Sequence, residues 1–234
     1  MASDNRRPPA CQGPRGIDCP DGLRGFIILN GIVRPESIHH WHPKSEEKAR
    51  LRAEALSRRK EICLKSGASA AQAVAAKGVP LIQSFGPDAI GGYHALSAEL
   101  DPLLLLTALQ DSGFRIALPC MSKGPAPALT FREWTPGSAL HRRKFGVHEP
   151  AETQPVMDPP VLLAPLVAFD RKGARLGYGA GYYDACLRGM RARQRVLAIG
   201  LAFDEQELPE IPREPQDEPL DMILTPSRVI ACGG

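Results

Sequence analysis

No run of apolar residues in the 234-residue sequence approaches the ~20 that a bilayer-spanning helix needs. The longest uncharged stretch near the start, 26–33, is short and is interrupted by Asn30 and Gly31. Gly, Pro, Asp and Arg between it and Arg6–Arg7 spoil the pattern of a secretory leader, so the expected location is the cytoplasm. Paired cysteines are also missing. The six cysteines (Cys11, Cys19, Cys63, Cys120, Cys186, Cys232) show no CxxC and no ligand-like spacing, and read as reduced thiols rather than a disulfide framework. Nor is charge concentrated: 29 Lys and Arg against 26 Asp and Glu leave a net charge of +3, which suits an anionic small molecule. The basic stripe of a nucleic-acid binder is absent, and no internal repeat is visible.

What is present changes character at about residue 44. Residues 1–43 are rich in Pro, Gly and Arg, carry no sustained periodicity, and end in His39, His40, Trp41 and His42. They read as a poorly ordered extension; the alternative, a metal-binding histidine cluster, finds no cysteine partner nearby. Residues 44–234 read as a single domain. Ser45 with Glu46 and Glu47 suits a helix start, and the pattern predicts a helix over 48–65 stopping near Gly67. A second helix is predicted over 69–77, ending at Gly78, then a strand over 89–96, a helix over 101–111, and strands over 115–121 and 129–134. Residues 135–160 are irregular, 161–169 form a continuous apolar strand, 181–193 a helix, and 195–203 and 222–230 two further strands. Strands alternating with helices predict an α/β fold with a largely parallel sheet.

The strongest local signal is Gly177, Gly179 and Gly181 between a strand and a helix. Residues without side chains let the backbone approach a ligand, and the helix N-terminus adds the positive end of its dipole; an anion, most plausibly phosphate, belongs there. The loop has neither the GK[ST] ending of a P-loop nor the GxGxxG of a dinucleotide fold, and close packing also selects glycine. Tyr182 and Tyr183 offer flat faces for a heterocycle, or simple packing. Asp184 offers an oxygen for Mg²⁺, or a favourable charge in a first helical turn.

With its flanks, Arg175-Leu176-Gly177-Tyr178-Gly179-Ala180-Gly181-Tyr182-Tyr183-Asp184 resembles the RLGxGxGYYD signature of the 5-formyltetrahydrofolate cyclo-ligase family. Every fixed position is met. Tyr178 and Ala180 stand where some members carry Arg or Lys, so any such charged contact is absent here or comes from elsewhere. Four more segments resemble the family in order: Lys48-Ala49-Arg50-Leu51-Arg52 its KxxLR element, 97–101 with Glu99 its folate-binding stretch, Phe145-Gly146-Val147-His148-Glu149-Pro150 its aromatic segment, and 215–221 with Asp217 its P-x-D-x-P-x-D segment. Gln216 stands where the family often has His. Without the family, Lys48 and Arg52 read equally as a solvated basic face, and Glu99 as an acidic helix cap.

The resemblance implies a three-layer α/β/α, Rossmann-like sandwich. It implies a monomer that uses ATP and Mg²⁺ to cyclise 5-formyltetrahydrofolate to 5,10-methenyltetrahydrofolate, through a phosphorylated formyl group, releasing ADP and phosphate. Catalytic roles fall to Arg175, Tyr182 and Asp184. ATP contacts fall to Lys48, Arg52, Arg175, Leu176, Gly177, Tyr178, Gly179, Ala180, Gly181, Tyr182 and Tyr183. Folate contacts fall to His94, Glu99, Phe145, Tyr178 and Tyr182, and the metal to Asp184 and Asp217. No nucleic acid or membrane partner is expected. A folate- or nucleotide-binding paralogue without turnover, or another phosphate-handling enzyme on the same fold, stays open as an alternative.

The basic run His141, Arg142, Arg143, Lys144 reads as a solvated loop or as a contact to the glutamate tail of folate. On the second reading, replacing Arg142, Arg143 and Lys144 by Ala raises KM for polyglutamylated substrate far more than for monoglutamate; equal effects exclude it.

Overall fold

The computed structural model describes residues 26–29, 32–35 and 43–233, apart from 123, 125, 144 and 145. The histidines at 39, 40 and 42, the Ser45 side chain, Lys144 and Phe145 therefore lie outside the described residues. The chain divides into two compact units, Met1–His42 and Pro43–Gly234. In the first, β1 (Phe26–Leu29) and β2 (Ile32–Pro35) pair as an antiparallel hairpin.

The second unit opens with a long helix, α1 (Pro43–Phe85), followed by β3 (Ala89–Gly91), α2 (Leu103–Asp111), β4 (Arg115–Met121) and β5 (Leu129–Glu133). Three short strands, β6 (His141–Arg142), β7 (His148–Glu149) and β8 (Val156–Met157), lie within the stretch expected to be irregular. Then come β9 (Val161–Pro165), β10 (Ala168–Phe169), β11 (Arg175–Leu176), α3 (Tyr182–Arg191), β12 (Leu197–Leu201), β13 (Met222–Leu224) and β14 (Val229–Ala231). The main sheet has eight strands in the order β14-β13-β12-β9-β3-β4-β5-β8. The strands from β13 to β4 run parallel; β14 and β5 pair antiparallel to them, and β8 pairs antiparallel to β5 at the edge.

Alternating side chains of the central strands fill two cores, as period-two geometry requires. Ile90, Ile116, Leu163 and Ile199 face Val74, Ile82, Leu105 and Leu109 of α1 and α2. Ala89, Ala117, Leu162 and Ala198 face Leu187 and Met190 of α3. Helices thus cover both sheet faces, the three-layer arrangement expected.

Four boundaries differ from the sequence reading, each for a physical reason. Helix α1 runs 43 residues straight through Gly67, Gly78 and Pro80. Gly78 is buried, and a Cβ there would meet Leu105 Cδ1 at 2.8 Å and Leu224 Cδ2 at 3.0 Å, so this glycine serves close packing rather than helix termination. The apolar run 161–169 breaks after Pro165, because the carbonyls of Leu166 and Val167 accept from Gln206 Nε2, and that of Leu166 also from Arg59 Nη1, instead of from a sheet partner. The expected strand 222–230 is a hairpin, turned at Thr225–Arg228 by bonds from Thr225, Ser227 and Arg228 to Asp204. The strand from Ala89 ends at Gly91, where a Cβ would lie 2.4 Å from Leu162 Cδ2.

The two helix glycines predict opposite responses. At Gly67 the nearest atom to a new Cβ is Cys63 Sγ at 3.3 Å. Gly67→Ala is expected to stabilise the protein by about 0.5–1 kcal/mol through helix propensity, whereas Gly78→Leu is expected to cost about 1–3 kcal/mol through overpacking. Chemical denaturation of both variants checks the sign.

Candidate active site

Strand β3 leads away to β4 on one side, while its other neighbour β9 leads to β12 in the opposite direction. Such a reversal opens a crevice beyond the carboxyl ends of the two strands, the usual ligand position in open α/β sheets. A cleft of about 550 Å³ lies there. Tyr93 and His94 after β3, Met121 at the end of β4 and Pro165 at the end of β9 form its floor, and the glycine loop forms one side.

The loop follows the small β10–β11 hairpin, which is separate from the main sheet. Gly179 (φ +95°) and Gly181 (φ +71°) both adopt the left-handed conformation that other residues resist. Gly181 caps α3, whose amphipathic core face carries Cys186, Leu187 and Met190. The N–H groups of the first turn of α3, from Tyr182 to Asp184, have no carbonyl behind them in the helix, and all three residues line the cleft. Leu176 is a core residue, packed with Val167, Ala168, Ala174 and Ile211, so it can offer a ligand only its backbone.

Helix α1 delivers cations to this loop. Arg52 Nε donates to Gly177 O at 2.6 Å, and its guanidinium lies 3.6 Å from where a Gly179 Cβ would stand. Lys48 is only 7% exposed; its Nζ donates to Glu214 Oε2 at 2.8 Å and to Asp217 Oδ2. Asp217 Oδ2 also accepts from Glu214 N at 2.8 Å, closing the turn that carries it. Arg175 bridges Glu218 O (2.6 Å) and Asp184 Oδ1 (2.8 Å), and Asp184 Oδ1 accepts from Glu218 N at 3.0 Å. Arg188 donates to Gln216 O, so the backbone of Gln216 is held whatever its side chain does.

Among the described residues, each of the two carboxylates expected to serve a metal spends one oxygen on these bonds and leaves the other unbonded. No cluster of three or more His, Cys, Asp or Glu side chains suited to a metal occurs among the described residues. Both residues line the cleft, and one free oxygen on each fits a hard cation such as Mg²⁺, which takes one or two carboxylates and completes its shell with phosphate oxygens and water.

The opposite wall is built around Glu99, which is 5% exposed. A tight turn holds it: Ser97 takes φ +49°, Glu99 N donates to Leu96 O at 3.0 Å, and Leu96 N donates back to Glu99 Oε2 at 2.7 Å. Capping of α2 falls to Asp101, whose Oδ1 accepts from Leu103 N at 2.9 Å, so Glu99 is not a helix cap. Burial pushes the Glu99 carboxyl up, partly offset by the Leu96 N–H, Arg59 and the Tyr178 hydroxyl. His94 and His148 also line the cleft, with ring centroids 4.6 Å apart, and burial, with His148 second, holds the His94 imidazole below its usual value. Tyr183 also borders the cleft, but its hydroxyl is deeply buried and burial keeps it protonated well above the usual range.

The cleft thus gathers Lys48, Arg52, His94, Glu99, Arg175, the loop 176–181, Tyr182, Tyr183, Asp184 and Asp217. Arg143 is paired with Glu149 (3.3 Å) and Glu152 (3.2 Å), and Arg142 is exposed. Sequence reasoning overlooked Arg59 and Glu214, and gave no role to His148, although it lies within a quoted segment. A signal for Arg59 did exist: residues 48, 52 and 59 fall on one helical face, at intervals of four and seven.

The sequence matches the 5-formyltetrahydrofolate cyclo-ligase family over residues 44–226. It is 35% identical over 141 residues to the 5-formyltetrahydrofolate cyclo-ligase of Escherichia coli K12, covering 58% of this chain and 77% of that one. Against the cyclo-ligase of Haemophilus influenzae it is 28% identical over 184 residues, covering 77% and 98%. The NMR structure of Aquifex aeolicus 5,10-methenyltetrahydrofolate synthetase superposes with a TM-score of 0.66 at 25% identity, over 80% of this chain and 93% of that one. From the first turn of α1 to the turn between β13 and β14, this chain belongs to the 5-formyltetrahydrofolate cyclo-ligase family of enzymes.

Proposed function

We propose that the protein converts 5-formyltetrahydrofolate and ATP to 5,10-methenyltetrahydrofolate, ADP and phosphate, with Mg²⁺ bound between the nucleotide and the site acids. The observation that carries this reading is the single cleft in which a glycine loop and helix N-terminus, three buried or half-buried cations (Lys48, Arg52, Arg175) and two half-open carboxylates face a buried glutamate. The first set suits a polyphosphate and the last an amino-pyrimidine edge.

A formamide is a weak electrophile because its nitrogen donates into the carbonyl. Transfer of the terminal phosphoryl group of ATP to the formyl oxygen breaks the phosphoanhydride bond, forms a P–O bond on that oxygen, and leaves an electron-poor N=CH unit. The second folate nitrogen adds to that carbon and gives its proton to solvent. That addition closes the ring; the C–O bond then breaks, phosphate leaves with its electron pair, and the N–CH–N unit of the methenyl product remains. Such a reaction asks the protein chiefly for alignment and charge neutralisation. Arg52, Arg175 and the N–H groups at 179–182 orient the phosphates. Lys48 moves from its carboxylates toward a phosphate oxygen or shares all three. Glu99 fixes the pterin, and Tyr182 covers the site. Bound Mg²⁺ supplies positive charge beside the phosphates, with Asp184 and Asp217 as its protein ligands.

Mixing purified protein with 5-formyltetrahydrofolate and Mg²⁺, with and without ATP, tests the proposal through the absorbance of the methenyl product. An increase that requires both ATP and Mg²⁺ supports it; a flat trace from protein that still binds folate identifies a binding paralogue instead. Asp184→Asn is expected to lower turnover at least about a hundredfold, as for loss of a group that stabilises transition-state charge, with the fold retained. An active variant refutes the metal-ligand role.

A further inference from the structure

Of the four buried side-chain polar atoms without a hydrogen-bond partner among the described residues, Glu99 Oε1 belongs to a residue that lines the cleft, and Arg59 Nε to the side chain whose Nη1 lies 4.0 Å from that oxygen. Buried polar atoms are normally satisfied, so a carboxylate oxygen left open on a residue lining a cleft points to a ligand group that completes it. Arg59 is 2% exposed and comes from the inner face of α1. Its Nη1 donates to Leu166 O at 2.9 Å and its Nη2 to the Tyr178 hydroxyl at 2.6 Å, with the guanidinium 5.5 Å from the Tyr178 ring centre. The distance from Nη1 to Glu99 Oε1 is 4.0 Å, close enough for charge to act and too long for a hydrogen bond. Anchored on Leu166 and Tyr178, the guanidinium does not close on the carboxylate.

We propose that Arg59 is a positioning residue for the folate substrate: it steadies Glu99 through space and pins Tyr178 beside it, leaving Glu99 Oε1 to a donor on the substrate. The proposal rests on reading the cleft as a 5-formyltetrahydrofolate site. A direct bidentate pair would engage both carboxylate oxygens and remove the acceptor; the gap keeps the charge balance and spares the oxygen. Because Tyr178 belongs to the glycine loop, the same guanidinium ties the nucleotide side of the cleft to the folate side.

The titratable groups facing Glu99 are Arg59 from α1, Tyr178 from the loop, Tyr93 after β3 and Tyr183 from α3. Arg59 alone among them is a cation. Burial raises the Glu99 carboxyl and Arg59 opposes that rise. Without Arg59, Glu99 takes up its proton at higher pH, so binding that needs the carboxylate fails sooner as the pH falls.

The test is calorimetric binding of 5-formyltetrahydrofolate without ATP, from about pH 5 to 8, for the wild type, Arg59→Met, Arg59→Lys and Tyr178→Phe. Arg59→Met is expected to weaken binding at neutral pH by at least about tenfold and to move the acid midpoint up by about one unit. Arg59→Lys should return the midpoint toward the wild type, and Tyr178→Phe should move it up by less. A folded Arg59→Met protein with the wild-type midpoint, or a lysine variant displaced as far as the methionine one, overturns the proposal. Should Arg59→Met fail to fold, Tyr178→Phe decides, since it removes only a hydroxyl from a half-exposed ring: unchanged affinity and midpoint overturn the proposal. A wild-type protein that binds no folate overturns the reading of the cleft instead.

Discussion

Lys48 occupies a buried position on α1, and a buried ammonium is tolerated only when anionic partners surround it. Those partners, Glu214 and Asp217, stand more than 160 residues away in the chain. Much of the site depends on that requirement. The pair locks the first turns of the longest helix to the loop before β13, and Arg52 and Arg59 on the same face reach Gly177, Tyr178 and Leu166. One helix therefore fixes the positions of three loops that the sheet alone would leave separate. The remainder of its inner face, including Ala70, Val74 and Ile82, is ordinary core, which anchors the charged end.

The same arrangement balances the charge gathered in the cleft. Lys48 is balanced by Glu214 and Asp217, Arg175 by Asp184, and Arg188 by Glu218. On the proposed function, nucleotide phosphates would take over the cations, which in turn would leave the carboxylates more open to a divalent ion. Charge is exchanged between partners rather than created, so the desolvation cost of the site is met once, on folding.

The legible parts of the fold were those fixed by local chemistry. Strand β4 and the glycine loop with α3 were read nearly to the residue, since an apolar run bounded by Gly113 and the alternate glycines at 177–181 leave few alternatives. Gly67 and Gly78 misled because a glycine does not always stop a helix: Gly78 serves close packing against Leu105 and Leu224, while Gly67 meets only Cys63 Sγ within its own helix. The hairpin β13–β14 was missed because Asp204, which folds its turn, is about twenty residues upstream. Arg59 shares a helical face with Lys48 and Arg52, but nothing nearby in sequence says that its partners are Leu166 and Tyr178. The acids and glycines of the cleft lie in short motifs, whereas the cation that links them does not.

The central claim is that the α1 cations serve the nucleotide, and the affinity of Lys48→Gln for ATP tests it most directly. Measured calorimetrically with Mg²⁺ present, in a variant that keeps the wild-type Tm, the dissociation constant for ATP is expected to rise by about ten- to a hundredfold, as for loss of a charge-assisted hydrogen bond, while that for 5-formyltetrahydrofolate stays the same. An unchanged ATP affinity would mean that Lys48 holds the fold together and plays no part in binding, and would contradict the account.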